Sequence, residues 1–131
     1  MYQQQVKEYL LNKPFSLETS PFGEEVTVFK VKHKMFATLS VGKMDNDATD
    51  DSDSICWVNL KCDPQEAIML RDLFPSIIPG YHMSKVHWNT VKLDGTVPQE
   101  EIQRMIDNSF DLVVSNMVKE DQQSVLQHTR S

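Results

Sequence analysis

The chain has 131 residues, 40% of them hydrophobic and 24% charged, with a net charge of −6. That length makes one domain with room for a core, and the composition excludes a disordered or collagen-like chain. No apolar run approaches the roughly 18 residues that span a bilayer, and the acidic balance excludes a strong, nonspecific polyanion binder.

The opening residues, MYQQQVKEYLL, lack the basic start, apolar stretch and small-residue cleavage site of a leader peptide, so a soluble cytoplasmic protein with no membrane partner is expected. They place Tyr2, Val6, Tyr9 and Leu10 on one helical stripe that Pro14 stops. Val26 to Val41 is rich in β-branched and aromatic residues and reads as two antiparallel strands joined near Lys32-His33, a pair that turns do not favour. Residues 44–54 carry Asp45, Asp47, Asp50, Asp51 and Asp53 and read as a solvated loop. Their spacing lacks the sixth-position Gly and twelfth-position Glu of an EF-hand.

Ile55 to Cys62 is a third strand. Cys56 and Cys62 would share its face about 20 Å apart, too far to bridge, and they read as buried thiols. Asp63, Pro64 and Glu66 open a helix with a capping box, whose apolar residues are Ala67, Leu70, Leu73 and Phe74 before Pro75. After a Pro79-Gly80 turn, Lys85 to Asp94 reads as a strand. A last helix is expected to open at Thr96, with Gln99 completing a second capping box. Its stripe is Ile102, Met105, Ile106, Phe110, Val113, Val114 and Met117. The organisation is a single domain over residues 1–119 and a frayed polar tail over 120–131. Strands grouped between helices predict an α+β fold, an antiparallel sheet of about four or five strands with its helices on one face.

Chemical motifs are sparse. Gly23, Gly42, Gly80 and Gly95 assemble no phosphate-cradling loop, and no G-x-S-x-G or H-E-x-x-H occurs. Cys62 with His82 or His87 has no spacing that compels a nucleophile pair, and His82 with His87 lacks the i, i+4 spacing of helical metal ligands. No catalytic residue, metal site or cofactor is therefore expected, and the chain reads as a non-enzyme.

The stretches SPFG (Ser20 to Gly23), VFKVKHKMFA (Val28 to Ala37), NLKCDPQEA (Asn59 to Ala67), PGYHMSKVHWNTVKLDG (Pro79 to Gly95) and MIDNSFDLV (Met105 to Val113) together resemble the MmcQ/YjbR family of small bacterial proteins. The resemblance implies a CyaY-like fold, similar in outline to frataxin-type domains, and a DNA-binding role; it brings no catalytic residues. Lys32-His33 stands where the family has a glycine-containing turn, Ser84 where it has Asn, and the Asp-rich loop is a further departure.

Charge is sorted by element: the strands are basic, and the helices and the Asp-rich loop hold most of the acid. Strict alternation would put Met35, Ala37, Leu39 and Val41 on the apolar face of the second strand, with Lys34, Phe36, Thr38 and Ser40 opposite. By the same rule Trp57, Asn59 and Lys61 look away from the core, as do Trp88, Thr90 and Lys92, while Lys30 opposes Phe29 and Val31. The candidate nucleic-acid-binding residues are therefore Lys30, Lys34, Phe36, Trp57, Lys61, His82, Lys85, His87, Trp88 and Lys92. Aromatics for stacking among cations is the logic of sheet-based single-strand binders. The expected partner is DNA or single-stranded nucleic acid, held weakly and salt-dependently. The alternative is a protein-interaction or metal-handling module in the frataxin style, meeting a basic partner or a cation through the acidic surface.

Overall fold

The computed structural model describes residues 2–21, 23, 25–42 and 55–129, with side chains to residue 126; the Asp-rich segment lies outside the described residues. The opening stripe forms helix α1 (Gln3–Leu11), which buries Val6 and Leu10 completely and leaves Tyr2 outside. A short strand that alternation did not reveal, β1 (Ser16–Thr19), follows and pairs with β2 (Val26–Val31). The expected hairpin is present: Val31 faces Lys34, so Lys32-His33 forms a two-residue turn into β3 (Lys34–Gly42).

Then come β4 (Ile55–Lys61), α2 (Pro64–Leu73), β5 (Ile77–Pro79), β6 (Trp88–Lys92), α3 (Gln99–Ser115) and α4 (Lys119–Thr129). The strands form one antiparallel sheet of six in the order β1-β2-β3-β4-β6-β5. That is the expected α+β architecture with more strands than expected. Both additions, Ser-Leu-Glu-Thr and Ile-Ile-Pro, are edge strands too short for a period to register.

The helices bury a single core against one face. Phe29, Val31, Ala37, Leu39, Val58, Leu60 and Val91 from the sheet meet Val6, Leu10, Ala67, Leu70 and all seven residues of the expected last-helix stripe, six on α3 and Met117 just past its end. Asp63 caps α2 as expected, Oδ2 accepting from the Gln65 and Glu66 amides at 3.2 and 3.3 Å, but the box is not reciprocal. Glu66 instead pairs with Arg104 at 2.6 Å. Leu73, expected on the buried stripe, is 67% exposed.

The start of the last helix also differs. α3 begins at Gln99 with Pro98 as its N-cap, because the Thr96 hydroxyl is engaged by Asp94 at 2.6 Å and Ser76 at 2.8 Å. The expected frayed tail is helix α4, anchored by Val125, which is 1% exposed in the main core. One buried apolar side chain on a polar helix is a weak signal, and burial rather than propensity holds this one. No helix among the described residues is long and apolar enough to cross a membrane.

Candidate functional site

Directly opposed residues of an antiparallel pair share a face, so the register identifies the side of the sheet that the helices leave open. It carries Leu17 and Thr19 of β1, Val26, Val28 and Lys30 of β2, and Thr38 and Ser40 of β3. Trp57, Asn59 and Lys61 of β4, Trp88, Thr90 and Lys92 of β6, and Ile78 of β5 complete it. No strand residue on this face among those described is acidic.

Alternation holds on β4 and β6 but fails on β3, where the structure corrects it. Phe29 pairs with Ala37 while Lys30 pairs with Met35, so Phe36 is an extra residue. That β-bulge shifts the parity. Phe36 joins Ala37 in the core, fully buried and edge-on to Phe110 at 5.3 Å. Lys34, opposite Val31, falls on the covered side at the hairpin end, and Met35 turns to the open side. Phe36 and Lys34 therefore leave the candidate face. The bulge is pinned from behind: Ser109 Oγ donates to the Phe36 carbonyl at 2.6 Å and accepts from the Lys61 amide at 2.9 Å.

Instead of a flat aromatic platform, the open side holds a cleft of about 430 Å³. Val26, Val28 and Met35 form one side, Trp57, Tyr81, His82 and Met83 the other, and Thr38, Ser40 and Asn59 lie between. Such a cavity, apolar with few polar groups, has the size and lining of a ligand site. Trp57 is 7% exposed and packs edge-to-face on Tyr81, centroids 5.7 Å apart.

The rim is a loop over residues 80–87, where a continuous strand from Lys85 was expected. The Trp88 amide bonds back to the Ser84 carbonyl at 3.0 Å, so β6 starts only at Trp88. Gly80 is required at its base: an added Cβ would lie 2.9 Å from Trp88 Cβ and 3.0 Å from Met83 Cβ. Lys85 Nζ donates to the Gly80 carbonyl at 3.1 Å, and Arg71 from α2 donates to the Lys85 carbonyl. At the tip His82 holds φ +60° against the Tyr81 ring, centroids 4.1 Å apart. That strain, of order 1–3 kcal/mol, is tolerated where the surroundings overdetermine it, often at binding sites.

A row of side chains crosses the floor. The Tyr81 amide donates to Thr90 Oγ1 at 2.8 Å, and Thr90 Oγ1 donates to Asn59 Oδ1 at 2.5 Å. Asn59 Nδ2 then donates to Thr38 Oγ1 at 3.0 Å. All three side chains are buried.

Of the expected residues, the structure places Trp57 and His82 on the cleft and Lys30, Lys61, Trp88 and Lys92 on the same face; Lys85 and His87 are exposed on the rim loop. Sequence reasoning missed Met83, Thr38 and Ser40 as cleft residues. The signal was there for the hydroxyls, which interrupt an apolar strand at every second residue.

Cys62 lies in the core under the helices, across the sheet from His82, so no Cys62–His82 pair assembles. Burial pushes both thiols up to about 11. A wider concavity of about 530 Å³ meets Tyr2, Ile55, Cys56, Lys92 and Asp94, but Asp94 is already occupied by Ser76 and Thr96. Among the described residues no cluster of His, Cys, Asp and Glu is arranged to hold a metal.

Residues 11–112 match the family model described as YjbR. Over 119 residues the chain is 34% identical to the protein named YbdF of Escherichia coli O157:H7, covering 91% of this chain and 89% of that one. Two crystal structures share the fold. The Deinococcus radiodurans protein DR2400 is 36% identical, with a TM-score of 0.76 over 93% of this chain and 86% of its own. A Pseudomonas syringae protein is 30% identical, with a TM-score of 0.77 over 86% of this chain and 99% of its own.

Proposed function

The chain belongs to the YjbR family, and we propose that this member is a single-stranded nucleic-acid recognition module that works through the open face of its sheet. The observation that carries the reading is the pairing of an aromatic-walled cleft with lysines on a face whose described strand residues include no acid. Trp57 and Tyr81 wall the cleft, and Lys30, Lys61 and Lys92 share its side of the sheet. Unpaired bases bind proteins by inserting their rings among aromatic side chains while cations meet the phosphates. The cleft is too narrow a feature for duplex readout, which needs an element that enters a groove.

The acidic total of −6 limits affinity and makes it depend on salt. Three phosphate contacts to a single strand give a slope of log K against log salt of about −2. The test is the anisotropy of a labelled oligonucleotide titrated with the protein across a salt series. Wild type is expected to follow that slope, and the triple variant Lys30→Gln, Lys61→Gln, Lys92→Gln to lose most of it while staying folded. Equal binding by that variant, or binding indifferent to salt, counts against the reading.

A further inference from the structure

The hydrogen-bond row under the cleft has a direction, and the direction identifies what the cleft lacks. A backbone amide can only donate, so Tyr81 N–H makes Thr90 Oγ1 an acceptor at one end. The Thr90 proton is spent on Asn59 Oδ1, and the Asn59 amide donates to Thr38 Oγ1. Thr38 therefore receives a proton and keeps its own, and no acceptor among the described residues takes it. It is 5% exposed and lines the cleft. Two residues on, Ser40 also lines the cleft; it is 4% exposed, and its hydroxyl has no hydrogen-bond partner among the described residues. Both hydroxyls are reached from the cleft, so both offer hydrogen bonds to a group seated there.

The occupant's chemistry follows from the lining. Among the described residues no Asp, Glu, Lys or Arg lines the cleft, whose titratable wall residues are His82 and Tyr81, so its lining suits a neutral group. Apolar and aromatic walls favour a flat ring, and the Thr38 donor requires an acceptor on its edge. We infer that the cleft seats one unpaired nucleobase by a ring carbonyl, received by the Thr38 hydroxyl with Ser40 beside it. The inference rests on the nucleic-acid reading and deepens it by making the site selective. Of the common bases adenine alone has no ring carbonyl, and it presents an amino group where thymine, uracil and guanine present theirs.

Calorimetric titrations test this with thymidine and adenosine, then with oligo-dT and oligo-dA of one length at two salt concentrations. Thymidine and oligo-dT are expected to bind at least about tenfold more tightly than their adenine counterparts, because adenine in the same pose turns its exocyclic amino group, a donor, toward the Thr38 hydroxyl proton. Thr38→Val is expected to abolish the preference without changing adenine binding, and Thr38→Ser to retain it. No carbonyl preference in the wild type, or its survival in Thr38→Val, overturns the inference. If Thr38→Val does not fold, because Asn59 loses its acceptor, Ser40→Ala decides beside the wild-type data: a weakened preference supports the site and an unchanged one overturns it. The two readings fail differently. Salt-dependent binding of oligonucleotides without base preference sinks the carbonyl pocket and keeps the module. Carbonyl-selective nucleoside binding with no gain from a phosphate chain sinks the nucleic-acid reading and leaves a pocket for a small neutral heterocycle.

Discussion

Lys32 and His33 occupy the two central positions of the β2–β3 turn with φ of +49° and +70°. A two-residue hairpin turn of this hand requires positive φ at both, which is why Asn-Gly is the favoured pair. The left-handed conformation costs an ordinary residue about 1–2 kcal/mol. Part is offset by Lys32 Nζ, which lies 4.2 Å from the Phe15 ring centroid. Replacing the pair by Asn-Gly is expected to raise stability by about 1–2 kcal/mol, read as a higher urea midpoint at unchanged slope; a lower midpoint would mean that the Phe15 contact outweighs the strain. Asp94 gives a second prediction at this scale. Desolvation pushes its carboxyl up, but hydrogen bonds from Ser76 Oγ and from the Thr96 hydroxyl and amide outweigh it and hold the carboxyl below its usual range. A group depressed in the folded state contributes stability above its unfolded value, about 3.9, and loses it as pH falls through the folded one. Wild type is therefore expected to lose stability more steeply than Asp94→Asn below about pH 4, in denaturation curves measured across that range. Parallel curves would place the acid sensitivity elsewhere.

At the scale of elements, what sequence reveals is what periodicity can carry. The α3 stripe needed only its 3.6 spacing, and the face assignments on β4 and β6 followed from a period of two. β3 broke that period because its bulge adds one residue, and nothing in Lys-Met-Phe-Ala-Thr announces a bulge. The error moved Phe36 and Lys34 to the wrong side and hid Met35. The cleft was hidden for a related reason: Tyr81, His82 and Met83 reach it from a loop, and loops carry no period that ties them to a strand face. α4 was missed because its anchoring rests on tertiary contact. Val125→Ala is expected to cost about 2 kcal/mol, measured by chemical denaturation. A loss near zero would mean that α4 is docked by something other than this side chain.

Over the whole molecule the sheet separates two chemistries. One side is a helix-covered core, with Arg104 bridging Glu66 and Glu101 and with Lys13 and Tyr9 meeting Asp107 outside it. Those acids lie on helices, so the net negative charge coexists with an open face whose described strand residues include lysines and no acid. Segregation by element was legible in the sequence; segregation by face needed the register. The most direct measurement is the fluorescence of Trp57, made the sole tryptophan by Trp88→Phe, titrated with oligo-dT at low and moderate salt. A saturable change in emission that weakens as salt rises is the expected result, because a seated base would touch the Trp57 wall while phosphates meet Lys30, Lys61 and Lys92. Unchanged Trp57 emission from a folded protein at low salt would contradict the account.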